Sequence, residues 1–158
     1  DLFAVETMMY PEEAVVAIRA AKESTDLPVM CTMFFQWEKD HTRDRTMWGT
    51  SPEEAAQILF EAGADVVGCN CGDGGPERAA AIIQAMRRVS DGLLITYPNA
   101  GLPRIQNGRT IYELSPDEMA AGYPPILDAG ANIVGACCGS TPTHIARLAE
   151  VVRKRRTK

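Results

Sequence analysis

Apolar and polar positions alternate along the chain in five repeats of one pattern: a short apolar run followed by a helix-start signal. Proline stands at the first position of four of these helices, and acidic residues follow in the first turn of most of them. Behind the starts, apolar residues recur at helical spacing. The pattern predicts strands at residues 2–6, 28–33, 65–71, 92–97 and 132–138, each followed by a helix.

Alternating strands and helices with nearly continuous apolar strands predict an α/β fold, a parallel sheet covered by helices. Two architectures compete: an open doubly wound sheet, and the last five units of a (β/α)8 barrel of the TIM type whose N-terminal units are absent. No glycine-rich nucleotide loop follows any strand. Chemically active residue types instead stand at several strand ends, as barrels place them. These residues favour the barrel: Glu6, Cys71, Asn99, Cys137 and Cys138.

No linker divides the 158 residues, so we predict one partial domain over residues 1–158. The net charge of -5 argues against a nucleic-acid partner, and no apolar stretch is long enough to cross a membrane. Five cysteines without a secretory signal predict reduced thiols and a cytoplasmic location. Two stretches, residues 35–50 and 99–114, read as irregular. Trp37 and Trp48 lie in the first and form either an aromatic wall over the barrel mouth or a packed loop.

A ten-residue segment occurs twice. AGADVVGCNC at 62–71 returns as AGANIVGACC at 129–138, and each copy ends in cysteine followed by glycine. The repeat predicts that Cys71, Cys137 and Cys138 reach equivalent strand ends. Cys69 is expected on the same face as Cys71, one layer deeper in the barrel; we interpret it and Cys31 as core residues.

Three converging thiols predict a zinc site with one open coordination position. Two alternatives stay open: a coincidence of buried cysteines, and a closed structural site with a fourth protein ligand. The nearest fourth ligand, His144, lies one turn into a helix, where a surface or capping role is expected; His41 lies among charged loop residues. Zinc with three thiolates has a net charge of -1 and suits binding an exogenous thiol as thiolate, which implies S-alkylation of a small thiol.

Five short segments spread over the chain form a distinctive set: VETM at 5–8, GTSPE at 49–53, GCNCG at 68–72, YPNAGLP at 97–103 and GACCG at 135–139. By these segments the chain resembles the C-terminal part of the homocysteine S-methyltransferase domain, which occurs in cobalamin-dependent methionine synthase and betaine–homocysteine methyltransferase. The resemblance implies that Cys71, Cys137 and Cys138 hold zinc, that homocysteine sulfur takes the fourth position, and that methionine is formed. It implies further that Glu6 holds the substrate amino group and that Asn99 contacts substrate or shapes the pocket.

The family domain has about eight βα units, and nothing here corresponds to its first three. We therefore expect the chain alone to be incompletely active, with the missing barrel half or a second copy covering the sheet edge. The methyl donor is open between a corrinoid on a partner protein or domain, S-methylmethionine and a betaine-like amine. Alternative functions are a non-catalytic zinc or thiol-binding module, and a corrinoid-linked methyltransferase with another acceptor.

Overall fold

The structure is a computed structural model that describes residues 1–37 and 43–156. Its elements follow in chain order as β1 (Phe3–Met8), α1 (Pro11–Ser24), β2 (Val29–Met33), β3 (Gln36–Trp37), β4 (Asp44–Arg45), α2 (Pro52–Glu61), β5 (Val66–Cys71), α3 (Gly75–Arg87), β6 (Leu93–Pro98), β7 (Pro103–Gln106), β8 (Arg109–Tyr112), α4 (Pro116–Ala121), α5 (Tyr123–Asp128), β9 (Ile133–Val134) and α6 (Pro142–Arg156).

Five strands form one parallel sheet in the order β1-β2-β5-β6-β9. The order in the sheet is the order in the chain, and a helix separates each strand from the next. A doubly wound sheet would reverse its strand order at a switch point, and this sheet does not. The topology is therefore that of consecutive units of a (β/α)8 barrel, as the sequence predicted.

The two faces of the sheet have different environments. Cys31, Val67 and Leu94 point from their strands into the main apolar core, which the helices complete with Ile18 and Ile83. The opposite face is the inner face of a barrel and has no helix layer. It carries, in strand order, Ala4, Glu6, Met30, Thr32, Val66, Gly68, Asn70, Ile95 and Tyr97.

A second, smaller core lies where α3, α5 and α6 meet. Its centre is the fully buried Tyr123, packed with Ile126 and Leu148. The Tyr123 hydroxyl donates to the backbone carbonyl of Gly135. This contact anchors the segment that leads to the two adjacent cysteines.

Helix starts agree closely with the sequence pattern. Ser51 and Ser115 each form a capping box with the glutamate three residues later, Glu54 and Glu118, in which side chain and backbone amide exchange hydrogen bonds. The second of these helices, α4, ends at Ala121, and α5 begins at Tyr123 with two prolines in its first turn.

The structure corrects three sequence predictions. The last strand covers only Ile133–Val134 instead of residues 132–138. Both stretches predicted as irregular contain antiparallel hairpins, β3–β4 and β7–β8. The second hairpin turns at Asn107 and Gly108, both with positive φ (52° and 73°), which is the backbone of a tight two-residue turn.

Candidate metal and substrate site

Cys71 ends β5 with a backbone that leaves the strand conformation. Its φ is 59°, in the left-handed region that few residues other than glycine adopt. In a regular strand Cys71 would share the face of Cys69, which points into the helix-side core beside Ile82 and Ile83. The left-handed turn instead brings its sulfur to the mouth of the sheet, beside those of Cys137 and Cys138.

The prediction for Cys69 was half right. Cys69 is a buried core residue, as is Cys31, and burial raises the pKa of both thiols to about 12. However, Cys69 does not lie one layer deeper in the barrel, because its side chain faces the helices, where its sulfur lies 3.2 Å from the Thr96 hydroxyl. The alternation rule placed Cys69 and Cys71 on one face, and the turn at Cys71 breaks that rule.

Cys137 and Cys138 reach the same point from an irregular segment that continues along β6. The amide of Gly135 donates to Thr96 O at 3.0 Å, and the amide of Cys137 donates to Pro98 O at 2.9 Å. The chain thus stays attached to β6 after β9 ends. Outside regular strand geometry, adjacent side chains need not point to opposite faces, so both sulfurs can approach Cys71.

Asn99 links the two cysteine-bearing segments. Its Oδ1 accepts from the amide of Cys138 at 3.1 Å, and its Nδ2 donates to Gly72 O at 3.2 Å. The side chain is buried, with 7 % exposure. These contacts favour a pocket-shaping role over direct substrate contact, and the substrate assignment of Asn99 stays a prediction.

The three sulfurs form a compact triangle. Sγ of Cys71 lies 3.4 Å from that of Cys137 and 3.5 Å from that of Cys138, and the last two are 3.9 Å apart. These separations exclude disulfides, and all five cysteines are free. Three thiolates at 2.3 Å from a tetrahedral zinc would lie roughly 3.8 Å apart. The three edges lie within about 0.4 Å of this value, so the triangle fits zinc with small adjustments.

The triangle has an open side. Cys71 and Cys137 are half-buried and Cys138 is exposed. Among the residues that the structure describes, no further His, Cys, Asp or Glu joins the group. His144 is buried and uses both ring nitrogens elsewhere: Nδ1 with Thr141 and Nε2 with Leu114 O. Its capping role agrees with expectation although its side chain is not at the surface, and His41 lies outside the described residues.

Packing raises the pKa of one thiol of the triangle. Burial, followed by the two neighbouring cysteines, raises the pKa of Cys71 to about 12. The phenol of Tyr112 lies against Cys138, and its pKa is raised by desolvation and by the three thiols. A divalent cation at the centre of the triangle would favour the thiolate form of its ligands.

Glu6 lies on the inner face of the sheet, exposed, near the carboxyl end of β1. The Tyr97 hydroxyl from β6 donates to Glu6 Oε1 at 3.1 Å. Tyr97 contacts Thr32 in turn, and Thr32 contacts Asn70 beside Cys71. The structure thus brings Glu6 into one hydrogen-bonded group with residues next to the thiols, and the sequence pattern did not reveal Tyr97 or Thr32.

The aromatic residues do not form one wall. Phe35 is buried in the core. The guanidinium of Arg78 stacks 3.3 Å from the centre of the Trp37 ring and pairs with Asp44, which joins the β3–β4 hairpin to α3. Trp48, in contrast, is exposed and packs on Tyr10, with 5.3 Å between ring centres.

Comparison with known proteins agrees with this geometry. A family model described as homocysteine S-methyltransferase matches residues 1–152. The chain belongs to the homocysteine S-methyltransferase family. Within the family match lie the three clustered cysteines, Glu6 and Asn99.

Two methionine synthases are among the similar family members. That of Mycobacterium tuberculosis (strain ATCC 25618 / H37Rv) is 38% identical over 114 residues, which are 70% of this chain and 9% of that protein. That of Mycobacterium leprae (strain TN) is 38% identical over 119 residues, 72% of this chain and 9% of that protein. The chain therefore spans about a tenth of the curated relatives it matches.

Solved structures of the Escherichia coli homocysteine methyltransferase MmuM have the same fold. The apo form superposes with a TM-score of 0.72 at 22% identity, covering 96% of this chain and 50% of the other. The metallated form gives a TM-score of 0.72 at 23% identity, covering 95% and 44%. This chain thus has the fold of about half the length of these solved proteins. No helix in residues 1–37 and 43–156 is long and apolar enough to cross a membrane.

Proposed function

We propose that this chain carries the zinc-binding and thiol-binding part of a homocysteine S-methyltransferase that forms methionine in the cytoplasm. The observation that carries the proposal is the sulfur triangle of Cys71, Cys137 and Cys138, with edges of 3.4 to 3.9 Å and an open side. Membership of the family supports the same reaction.

The three thiolates would hold zinc, which supplies the positive charge that keeps a fourth, substrate thiol ionised at neutral pH. The chain's own residues prepare the place. The left-handed backbone of Cys71 brings one sulfur to the mouth, and Asn99 fastens the Cys138 segment to Gly72. The substrate sulfur would enter from the side of the exposed Cys138.

Glu6 is the candidate partner of the substrate ammonium group. Its carboxylate is exposed on the inner face of the sheet and is oriented by the Tyr97 hydroxyl. Opposite charges at hydrogen-bond distance make a stronger contact than a neutral pair. A thiol that also carries an ammonium group can thus be held at both ends, at the cysteines and at Glu6.

A corrinoid on a partner protein or domain, S-methylmethionine and a betaine-like quaternary amine all supply a methyl group that a thiolate can attack. The similarity to methionine synthases favours the corrinoid among these. A corrinoid-linked methyltransferase with another acceptor is the second candidate function.

We infer that full activity requires further structure over the inner face. Within the described residues β1 pairs only with β2 and β9 only with β6. Leu93 and Ile133 on this face are 49% and 42% exposed, and Leu2 and Phe3 at the β1 edge are 50% and 44% exposed. The remaining units of a barrel or a second copy of the chain would cover these side chains.

The first experiment is a homocysteine titration of the cobalt-substituted chain, followed through the thiolate-to-cobalt absorption bands. A saturable change that disappears in the Cys71→Ser variant would support an open three-thiolate site that binds a thiol. Cobalt binding without a response to homocysteine would favour a non-catalytic metal-binding module instead. Cys31→Ser, a buried cysteine far from the triangle in sequence, is the matched control and should keep the response.

A further inference from the structure

Hydrogen bonds cross the inner face of the sheet from Glu6 toward the thiols. Tyr97 Oη lies 3.1 Å from Glu6 Oε1 and 2.8 Å from Thr32 Oγ1. Thr32 Oγ1 lies 2.8 Å from Asn70 Oδ1. The contacts join strands β1, β6, β2 and β5, and we call these four residues the hydroxyl ladder: Glu6, Tyr97, Thr32 and Asn70.

The Asn70 end of the hydroxyl ladder is fixed by its surroundings. Asn70 Nδ2 donates to Thr7 Oγ1 at 2.8 Å, and its Oδ1 accepts from the Thr7 amide at 3.1 Å. Both contacts are possible because Thr7 has a φ of 59°, where β1 shifts its register against β2. Asn70 Nδ2 also lies 3.8 Å from Cys137 Sγ. Asn70 therefore connects the end of β1, just after Glu6, with the thiol triangle.

The interior of the hydroxyl ladder is shielded from water, whereas its Glu6 end is open. Thr32 is fully buried and Asn70 is 3% exposed, while Glu6 is exposed. Buried hydrogen bonds hold their partners in one geometry, because breaking one leaves a polar atom without a partner. The position of the Glu6 carboxylate relative to the cysteines is thus set by the sheet itself.

The direction of the hydrogen bonds at both ends of the hydroxyl ladder follows from its acceptors. The ionised Glu6 carboxylate and the Asn70 amide oxygen only accept, so both protons come from hydroxyl groups. Tyr97 donates to Glu6 Oε1, and Thr32 donates to Asn70 Oδ1. The Tyr97 hydroxyl is therefore the donor that orients the Glu6 carboxylate.

We propose that Tyr97 and Thr32 are positioning residues that hold the Glu6 carboxylate in place relative to the thiol triangle, so that the site favours a thiol that also bears an ammonium group. This inference rests on the proposed function and adds a selection rule to it. A thiol without the ammonium group binds at the cysteines alone and gains nothing from the ladder. Removing the Tyr97 hydroxyl should therefore weaken the binding of only those ligands that contact Glu6.

The test compares two thiols on the cobalt-substituted chain: homocysteine and 4-mercaptobutanoate, which is homocysteine without its amino group. Tyr97→Phe should raise the Kd of homocysteine on the order of tenfold, as expected for one lost hydrogen bond to a charged group, and leave that of 4-mercaptobutanoate unchanged. Tyr10→Phe, an exposed tyrosine outside the ladder, should change neither. The cobalt content should equal that of the parent chain in both variants.

A second pair of variants separates positioning from stability. Thr32→Val removes the hydroxyl at nearly constant volume and should weaken homocysteine binding selectively, whereas Thr32→Ser keeps the hydroxyl and should restore it. Equal weakening of the binding of both thiols, or an unchanged Kd of homocysteine in Tyr97→Phe, would overturn the proposal. Neither result would contradict the metal site. If the parent chain binds cobalt and responds to neither thiol, the proposed function itself fails.

Discussion

The two copies of the repeated segment, residues 62–71 and 129–138, start in the same way. In the first, the Asp65 carboxylate accepts from the amide of Val29 and from Lys22 at the end of α1. In the second, Asn132 Oδ1 accepts from the amide of Leu94 and from Arg87 at the end of α3. Asp65 thus joins β2 to α1, and Asn132 joins β6 to α3 in the same way.

The copies diverge after this shared beginning. The first continues as a six-residue strand between two neighbours and is buried almost throughout. The second forms only the two-residue strand β9, has one sheet neighbour among the described residues, and is largely exposed or half-buried. Nearly the same residues therefore form a strand of full length only where both sides are paired. Local sequence determines where such a strand begins, and its neighbours determine how far it continues.

The largest expected effect is a loss of zinc affinity when a cysteine of either copy is replaced, because both copies contribute to one metal site. Cys71→Ala in the first copy and Cys138→Ala in the second should each reduce zinc affinity on the order of 100-fold or more, because each removes one of three thiolates. Zinc per chain, measured by mass spectrometry after buffer exchange, should fall from near one to a small fraction. Cys69→Ala, which removes the helix-side thiol, should retain zinc. Near-stoichiometric zinc in either of the first two variants would contradict the ligand assignment.

Substitution of the equivalent glycines Gly68 and Gly135 should lower the stability of the fold by different amounts. A methyl group on Gly68 would lie 1.7 Å from Ile95 O, whereas one on Gly135 would contact the Tyr97 side chain, 3.3 Å from Cβ and 3.9 Å from Cγ. We expect Gly68→Ala to cost about 3 kcal/mol or more of unfolding free energy and Gly135→Ala to stay within about 1 kcal/mol of the parent. Urea denaturation measures both. Equal losses would mean that the second copy is packed as tightly as the first.

The basic residues that contact the two copies, Lys22 and Arg87, should also differ in how much their removal lowers the free energy of unfolding. Arg87 donates to three backbone carbonyls, those of Ser90, Gly92 and Gly130, besides Asn132. Lys22 makes one partly exposed pair with Asp65. Arg87→Ala should cost about 2–3 kcal/mol because it leaves several carbonyls without a donor, and Lys22→Ala less than about 1 kcal/mol. The reverse ranking in thermal or urea denaturation would contradict this account.

The smallest expected effect is the contribution of the Asp65 carboxylate to stability, which depends on pH. The hydrogen bond from Lys22, followed by that from the Val29 amide, lowers the pKa of Asp65. A carboxyl whose folded-state pKa is lowered stabilises the fold above its unfolded pKa, and the contribution disappears as the pH falls through the folded value. Asp65→Asn, which copies the second segment, should lose less than about 1 kcal/mol at pH 7. The urea midpoints of parent and variant should converge as the pH falls below the ordinary aspartate pKa of about 3.9. A constant gap between them would mean that charge plays no part.

Much of the fold follows from local sequence. The proline-led helix starts and the apolar strand runs place all five units correctly, because caps and burial act within a few residues. The β7–β8 hairpin was missed although its signal is present: Asn107-Gly108 is a typical two-residue turn. Its flanks, such as Arg104 and Arg109, are too polar to look like strands.

The meeting of the three thiols could be predicted from the sequence, whereas the hydrogen bonds around them could not. The repeated segment indicated that Cys71 lies near Cys137 and Cys138, and their sulfurs do cluster. Their role as zinc ligands stays a prediction. The pair Glu6–Tyr97 is separated by 91 residues, and only the sheet order brings these side chains together. The direction of Cys69 was also wrong, because a single left-handed residue after a strand is invisible to an alternation rule.

The spacing of the cysteines along the chain has a consequence for folding order. Cys71 and Cys137 are separated by 66 residues, a loop whose closure is entropically costly and which contains β6 and three helices. The sulfurs meet only after β5, β6 and the segment after β9 have assembled. A metal bound there is coupled to the folding equilibrium of this whole part of the molecule. Its apparent affinity should therefore fall with any substitution that loosens the sheet, however far that substitution lies from the thiols.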